Sequence, residues 1–244
     1  MSSILTGLSR LLTQITGQSS STVIINNMSQ LLHEVDVPIK KATFALGCFW
    51  GPDSLFGAMK GVIRTRVGYC GGAKADPTYK SIGDHTEAID IDYDPNEITY
   101  DDLLKVFWSS HDPTSKNTTQ YTSIIFYHDD IQKELAEKTL KEEEQKHTRP
   151  LVTQILPFKK FYNAEDYHQK YRLQQHSWLV KAVGLNSGPQ LTSSHLAARL
   201  NGYVVGFGGI KQFESEIDRL GLDEKVADYV RKLVVKYEGR GLTC

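Results

Sequence analysis

Thr43-Phe44-Ala45-Leu46-Gly47-Cys48-Phe49-Trp50-Gly51-Pro52 is a short apolar run that breaks at a glycine and restarts in a different pattern. The residues ahead of Gly47 read as a buried strand. After it, Leu55, Phe56 and Met59 recur at helical spacing. Pro52 suits the first turn of that helix, where its missing N–H would have no partner anyway. Cys48 therefore stands at a strand-to-helix junction. Unpaired N–H groups and the positive end of the helix dipole favour thiolate over thiol there, which sharpens the nucleophile. The competing reading of the same thiol is a small apolar filler. Phe49 and Trp50 put aromatic rings beside the sulfur, where they could line a pocket for a methyl or thioether group or simply belong to the core.

Working outward, residues 61–69 read as a strand, and Cys70-Gly71-Gly72 turns the chain sharply. Residues 88–93 alternate with period two, as a half-buried strand does, and Asp94-Pro95 closes them. Thr99-Tyr100-Asp101-Asp102 opens a helix carrying Leu103, Leu104, Phe107 and Trp108, which Asp112-Pro113 ends. Residues 121–127 and 152–156 read as further strands, with a charged, solvated helix over 129–147 between them. There are too few strand-helix crossovers for a doubly wound sheet, so an α+β fold is expected: a two-layer α/β sandwich with a mixed sheet. Beyond residue 190 the pattern turns helical over 193–200, 212–220 and 223–237, with residues 202–209 reading as a mobile connector. The expected organisation is an N-terminal arm over 1–40, a catalytic domain over 41–185, and a helical C-terminal extension over 186–244.

The chain of 244 residues has a formal net charge of −1 and no basic cluster, so it lacks the electrostatic footprint of a nucleic-acid or anionic-membrane binder. No stretch approaches the roughly 18 apolar residues that would span a bilayer. The three cysteines, Cys48, Cys70 and Cys244, are too few for a disulfide scaffold and form no Cys-x-x-Cys pair. A reducing compartment fits them, with any disulfide transient. The arm carries no acidic residue before Glu34, and Leu5, Leu8, Leu11, Leu12 and Ile15 repeat at helical spacing, a faint transit-peptide look. Arg10 is its only strong base before Lys40, so the cytoplasm is expected, with mitochondria as the alternative.

Glu87 follows Asp84-His85-Thr86 at the entry to a strand. A carboxyl desolvated there would have a raised pKa and could donate a proton, although spacing alone makes it an ordinary surface charge. Tyr69 and Tyr121 could hydrogen-bond an oxygen in the same pocket. Two rival readings share these residues. One is a cysteine hydrolase with His85 or His168 as base, and the other is a module that recognises thioethers without turnover.

Taken together, the motifs closely resemble the A-type peptide methionine sulfoxide reductases. The matching order is Gly47-Cys48-Phe49-Trp50-Gly51, Gly68-Tyr69-Cys70-Gly71-Gly72, Pro77-Thr78-Tyr79, Gly83-Asp84-His85-Thr86-Glu87, Phe107-Trp108 and His111-Asp112-Pro113. Thr119-Gln120-Tyr121-Thr122-Ser123 and Phe161-Tyr162-Asn163-Ala164-Glu165-Asp166-Tyr167-His168-Gln169 complete it. The resemblance spans roughly residues 41–180. It implies a ferredoxin-like core and reduction of the S-epimer of methionine sulfoxide in proteins and as the free amino acid. It implies Cys48 as nucleophile, Glu87 as the acid, Tyr69 and Tyr121 on the oxygen, and Phe49 with Trp50 around the S-methyl. It also implies no cofactor, thioredoxin as external reductant, and oxidised proteins as partners; a monomer is expected. A second thiol would condense with oxidised Cys48. Cys244, ending the tail Gly239-Arg240-Gly241-Leu242-Thr243-Cys244, is favoured for that role over Cys70. Two departures stand out. The link from Asp112-Pro113 to Tyr121 is short, with Lys116 where the family usually has an aspartate, and the tail is unlike the family's usual compact ends.

Overall fold

The computed structural model describes residues 33–185 and 188–240. The strand before Cys48 is β1 (Lys40–Leu46), and it leads through the Gly47 turn into α1 (Trp50–Gly57). Then follow β2 (Val62–Cys70), β3 (Thr86–Tyr93), α2 (Tyr100–Ser109), a 3-10 turn at Thr119–Tyr121 and β4 (Ser123–Tyr127). The sheet order β4-β1-β3-β2, all antiparallel, is the split βαββαβ arrangement of a ferredoxin-like fold. Next come α3 (Asp130–Glu144), β5 (Gln154–Pro157) and β6 (Phe161–Asn163). β5 adds in parallel beside β4 and β6 antiparallel beside β2, which makes the sheet mixed. The antiparallel core brings the C-terminal ends of β1 and β2 to the same edge as the N-terminal ends of β3 and β4.

Alternation sorts the strand residues between two faces. Phe44, Ile89, Ile91 and Ile125 turn to the helix layer, where they meet Phe56, Leu103, Leu104 and Phe107. The opposite face holds the small cluster of Ala45, Cys70, Ala88, Ile124 and Phe126, covered by Leu156, Phe158 and Phe161. Thr99 caps α2 in a full capping box with Asp102, the start that the sequence marks. Strand β4 begins two residues later than expected, which leaves Tyr121 in the 3-10 turn rather than on the ladder. No helix among the described residues is long and apolar enough to cross a membrane.

The C-terminal helices are α4 (Tyr171–Gln174), α5 (Ser177–Ala182), α6 (Gly188–Ser193), α7 (His195–Tyr203), α8 (Gly209–Leu220) and α9 (Glu224–Tyr237). They enclose a second core that runs from Leu173 through Leu196, Leu200 and Phe213 to Val234. Residues 202–209 differ from the mobile connector expected of them. Tyr203 and Val204 are fully buried, and Gly206 at φ +87 turns so tightly that a side chain there would meet the backbone of Tyr237. The run of glycines signals a packed corner, not a hinge.

This helical unit docks directly on α1. Buried Arg199 donates to the carbonyls of Gly57 (3.2 Å) and Met59 (2.6 Å) at the end of α1 and pairs with Glu216 at 2.8 Å. Gln212 donates to the carbonyl of Ala58 at 2.8 Å. The last carbonyls of a helix have no partner of their own, so α1 has its C-terminal end completed by the extension. The approach is close because residue 57 is glycine: a Cβ there would lie 2.5 Å from the carbonyl oxygen of Ala198. Gly57→Ala is expected to cost about 1–3 kcal/mol, read as a lower midpoint in urea with an unchanged slope. An unchanged midpoint would contradict this packing.

Candidate active site

Gly47 at φ +96 ends β1, and Cys48 follows it half-buried, one residue ahead of the α1 N-cap Phe49. No side chain caps this helix locally. Instead the Phe49 N–H donates to Glu87 Oε2 at 3.1 Å, from across the sheet edge. Gln120 Nε2 donates to Glu87 Oε1 at 2.8 Å. The Glu87 side chain is 1% exposed. Burial pushes its carboxyl above the usual range, and the bonds from Gln120 and Phe49, which favour the anion, only partly oppose that.

Tyr69 lies directly opposite Glu87 on the β2–β3 ladder and is fully buried. Its phenol is pushed far up, by burial first and then by its hydrogen bond to the Glu165 carboxylate, so it is a neutral donor. The proton is already engaged: Tyr69 Oη donates to Glu165 Oε2 at 2.8 Å. Glu165 also accepts the Tyr79 N–H at 3.0 Å. Burial disfavours its charge, but hydrogen bonds from the backbone and from Tyr69 outweigh that and hold the carboxyl below its usual range. Tyr121, from the turn before β4, is hydrogen-bonded to Tyr79; burial first, then Glu87, push its phenol upward. Cys48 lies near enough for its charge to act on Tyr121 as well. The structure thus brings Cys48, Phe49, Glu87, Tyr69 and Tyr121 to one edge of the sheet.

The aromatic wall is built from α1 and α4. Trp50 stacks on Tyr171 with centroids 3.8 Å apart and planes 7° from parallel. Trp50 Nε1 donates to His168 Nδ1 at 3.3 Å, and Phe49 packs edge-on against the same imidazole at 5.2 Å. His85 is not arranged as the base of a hydrolase. His85 accepts the Gly72 N–H on Nδ1 (3.1 Å) and contacts the Lys74 carbonyl through Nε2 (2.8 Å), so both ring nitrogens are engaged in the turn. The Nδ1 of His168 is taken by the Trp50 indole. Behind the wall lies a fully buried ion pair, Lys170 Nζ to Asp53 Oδ1 at 2.9 Å, completed by Thr65 at 2.6 Å to each partner. It ties α1 and β2 to the segment that carries His168 and Tyr171.

Cys70 stands apart. One residue beyond Tyr69, it turns to the other face of the sheet, where it donates to the Lys160 carbonyl at 3.3 Å. Burial pushes this thiol up to about 12. Cys244 lies outside the described residues. Lys116 is exposed, and the short link that carries it is tied back by Asp112, which accepts from Thr114 (2.6 Å) and Ser115 (2.8 Å). Sequence reasoning missed Glu165, Gln120 and Tyr79 as members of the site. All three stand inside the quoted motifs, but nothing in their spacing marks the phenol or carboxyl that each one holds. Among the described residues no group of three or more His, Cys, Asp or Glu is placed to hold a metal ion.

A half-buried cysteine just before a helix, at the same sheet edge as a buried carboxyl and two phenols, defines a class: a thiol-dependent enzyme. Comparison with known proteins agrees. The family model described as peptide methionine sulfoxide reductase matches residues 40–198. A second, selenoprotein methionine sulfoxide reductase A, helical domain, matches 184–235, which gives the atypical tail a counterpart. The chain is 46% identical over 216 residues to a peptide methionine sulfoxide reductase of Drosophila melanogaster, covering 87% of each. It is 46% identical over 145 residues to the MsrA of Methanococcoides burtonii, covering 54% of this chain and 95% of that one. The crystal structure of Mxr1 from Saccharomyces cerevisiae in reduced form aligns with a TM-score of 0.53 at 33% identity, over 57% of this chain and 86% of that one. The chain belongs to the peptide methionine sulfoxide reductase family, as an A-type oxidoreductase.

The Asp53–Lys170 pair generates a test of the scaffold. Lys170→Met strands a buried carboxylate and is expected to cost about 3–5 kcal/mol in denaturant unfolding. Adding Asp53→Leu to Lys170→Met should recover much of that loss. A single variant as stable as wild type would show that the pair is not buried as described.

Proposed function

We propose that this enzyme reduces the S-epimer of methionine sulfoxide, in proteins and as the free amino acid, with Cys48 as nucleophile and Glu87 as acid. The observation that carries the reading is the buried Glu87 carboxyl bonded to the N–H of Phe49, the residue next to Cys48. A sulfoxide oxygen leaves poorly until it is protonated, so a thiolate needs a carboxylic acid beside it. Cys48 attacks the sulfur while Glu87 protonates the oxygen, and the S–O bond breaks. That oxygen, released at the S–O bond, then adds to Cys48 Sγ as the S–S bond made in the attack breaks, which leaves a sulfenic acid on Cys48 and releases methionine. The substrate sulfur gains the two electrons that Cys48 loses.

Tyr121 and Tyr69 bind the oxygen, and at Tyr69 the substrate competes with Glu165 for the phenol proton. Phe49 and Trp50 take the S-methyl. With the acid and the aromatic wall on fixed sides of the thiol, only one hand of the pyramidal sulfur presents its oxygen to Glu87. Cys244 then condenses with the sulfenic acid, releasing water, and thioredoxin reduces the disulfide by exchange. The position of Cys70, on the other sheet face with a raised thiol pKa, favours Cys244 for this step.

Single-turnover assays with the separated epimers test the scheme. Wild type should convert the S-sulfoxide and spare the R-form, and Cys48→Ser should convert neither. Glu87→Gln should slow the chemical step about 10²–10⁴-fold with little change in binding. The acid must be protonated to act, so the wild-type rate should fall as pH rises through the elevated Glu87 pKa, and Glu87→Gln should lack that limb. Turnover by Cys48→Ser, or a Glu87→Gln rate within a few-fold of wild type, would refute the assignment.

A further inference from the structure

The one-turn helix α4 carries Tyr171, the ring stacked on Trp50, yet it has no cap of its own. Its N-cap residue, Lys170, sits in the left-handed region at φ 50 and makes no side-chain capping bond. The first N–H groups of a helix need partners, and a single turn does not hold itself in water. Here the partners come from distant elements. The Lys170 N–H donates to Asp53 Oδ2 on α1 at 3.0 Å. The Leu173 N–H, third in the helix, donates to Asn201 Oδ1 at 3.0 Å.

Asn201 belongs to α7 of the C-terminal extension and is fully buried. Its other end donates to Ser54 Oγ on α1 at 3.2 Å, and that hydroxyl donates in turn to the Trp50 carbonyl at 3.3 Å. One side-chain amide therefore spans the helix that carries Trp50 and the helix that carries Tyr171. An amide suits the position because it offers an acceptor and a donor at once without a buried charge. The helix that holds it is itself clamped to α1 through Arg199 and the close approach at Gly57.

We infer that Asn201 is a positioning residue of the substrate pocket, contributed by the helical extension: it caps α4 in place of a local cap and holds Tyr171 against Trp50. This rests on the proposed reading of Trp50 as the wall of the pocket. The extension then belongs to the site rather than being an appendage to it. Losing Asn201 leaves Cys48 and Glu87 in place but loosens the wall, so it weakens binding more than chemistry.

A double-mutant cycle read on the KM and kcat of methionine S-sulfoxide reduction with dithiothreitol separates the possibilities. Asn201→Ala should raise KM about fivefold with kcat within about twofold. Tyr171→Ala should raise KM at least as much, and the double variant should match Tyr171→Ala alone, because Asn201 acts through that ring. Asn201→Asp, which keeps an acceptor for the Leu173 N–H but loses the donor to Ser54 and buries a charge, should recover only part of the lost affinity. If Asn201→Ala does not fold, Asn201→Ser, too short to reach Leu173, takes its place in the cycle. KM effects that simply add, or a loss of thermal stability with KM unchanged, would overturn the inference and leave the pocket reading intact. An unchanged KM in Tyr171→Ala would overturn the pocket reading at this wall, and the inference with it.

Discussion

The bond from the Phe49 N–H to the buried Glu87 carboxyl is the contact around which the rest of the molecule is arranged. It joins the N-cap residue of the helix beside Cys48 to the second residue of β3. A carboxyl in that place is costly to ionise, because it is 1% exposed and the hydrogen bonds from Phe49 and Gln120 offset that burial only in part. The balance leaves it protonated above the ordinary carboxylate range, which is the state an acid must be in to act beside a nucleophile. The antiparallel ladder sets Tyr69 opposite it, and the turn before β4 brings Gln120 and Tyr121.

Glu165 gives the opposite result with the same chemical group. It is less buried, and hydrogen bonds from the backbone and Tyr69 keep it ionised. Exposure and hydrogen-bond donors thus shift these two carboxyl groups in opposite directions. Glu165 accepts a hydrogen bond from Tyr69. The helices beyond residue 170 contribute at a second level. They complete the C-terminal end of α1 through Arg199 and Gln212 and the N-terminal end of α4 through Asn201. Both helices that present aromatic rings to the pocket are too short to be stable without those partners.

Much of this was legible in the sequence where the signal is local. The break at Gly47, the alternation ahead of Asp94-Pro95 and the Thr99 to Asp102 capping pattern each mark an element boundary that the structure keeps. The ordered motifs named Cys48, Glu87, Tyr69 and Tyr121, and the fold brings all four to one edge. What escaped depends on contacts far apart in the chain. Tyr69 and Glu165 are 96 residues apart and meet only because β6 pairs with β2. The glycines of 202–209 read as freedom but serve close packing, since a glycine permits both and the sequence does not distinguish them. Cys70 looked near the site because it follows Tyr69, yet strand alternation turns it to the far side.

The central claim is that Glu87 is a neutral acid. Isotope-edited infrared titration, comparing carboxyl-labelled wild type with Glu87→Gln, measures its protonation directly. The account predicts a protonated carboxyl band belonging to Glu87 that persists at a pH where exposed glutamates have already ionised. Ionisation of Glu87 together with the exposed glutamates would contradict it.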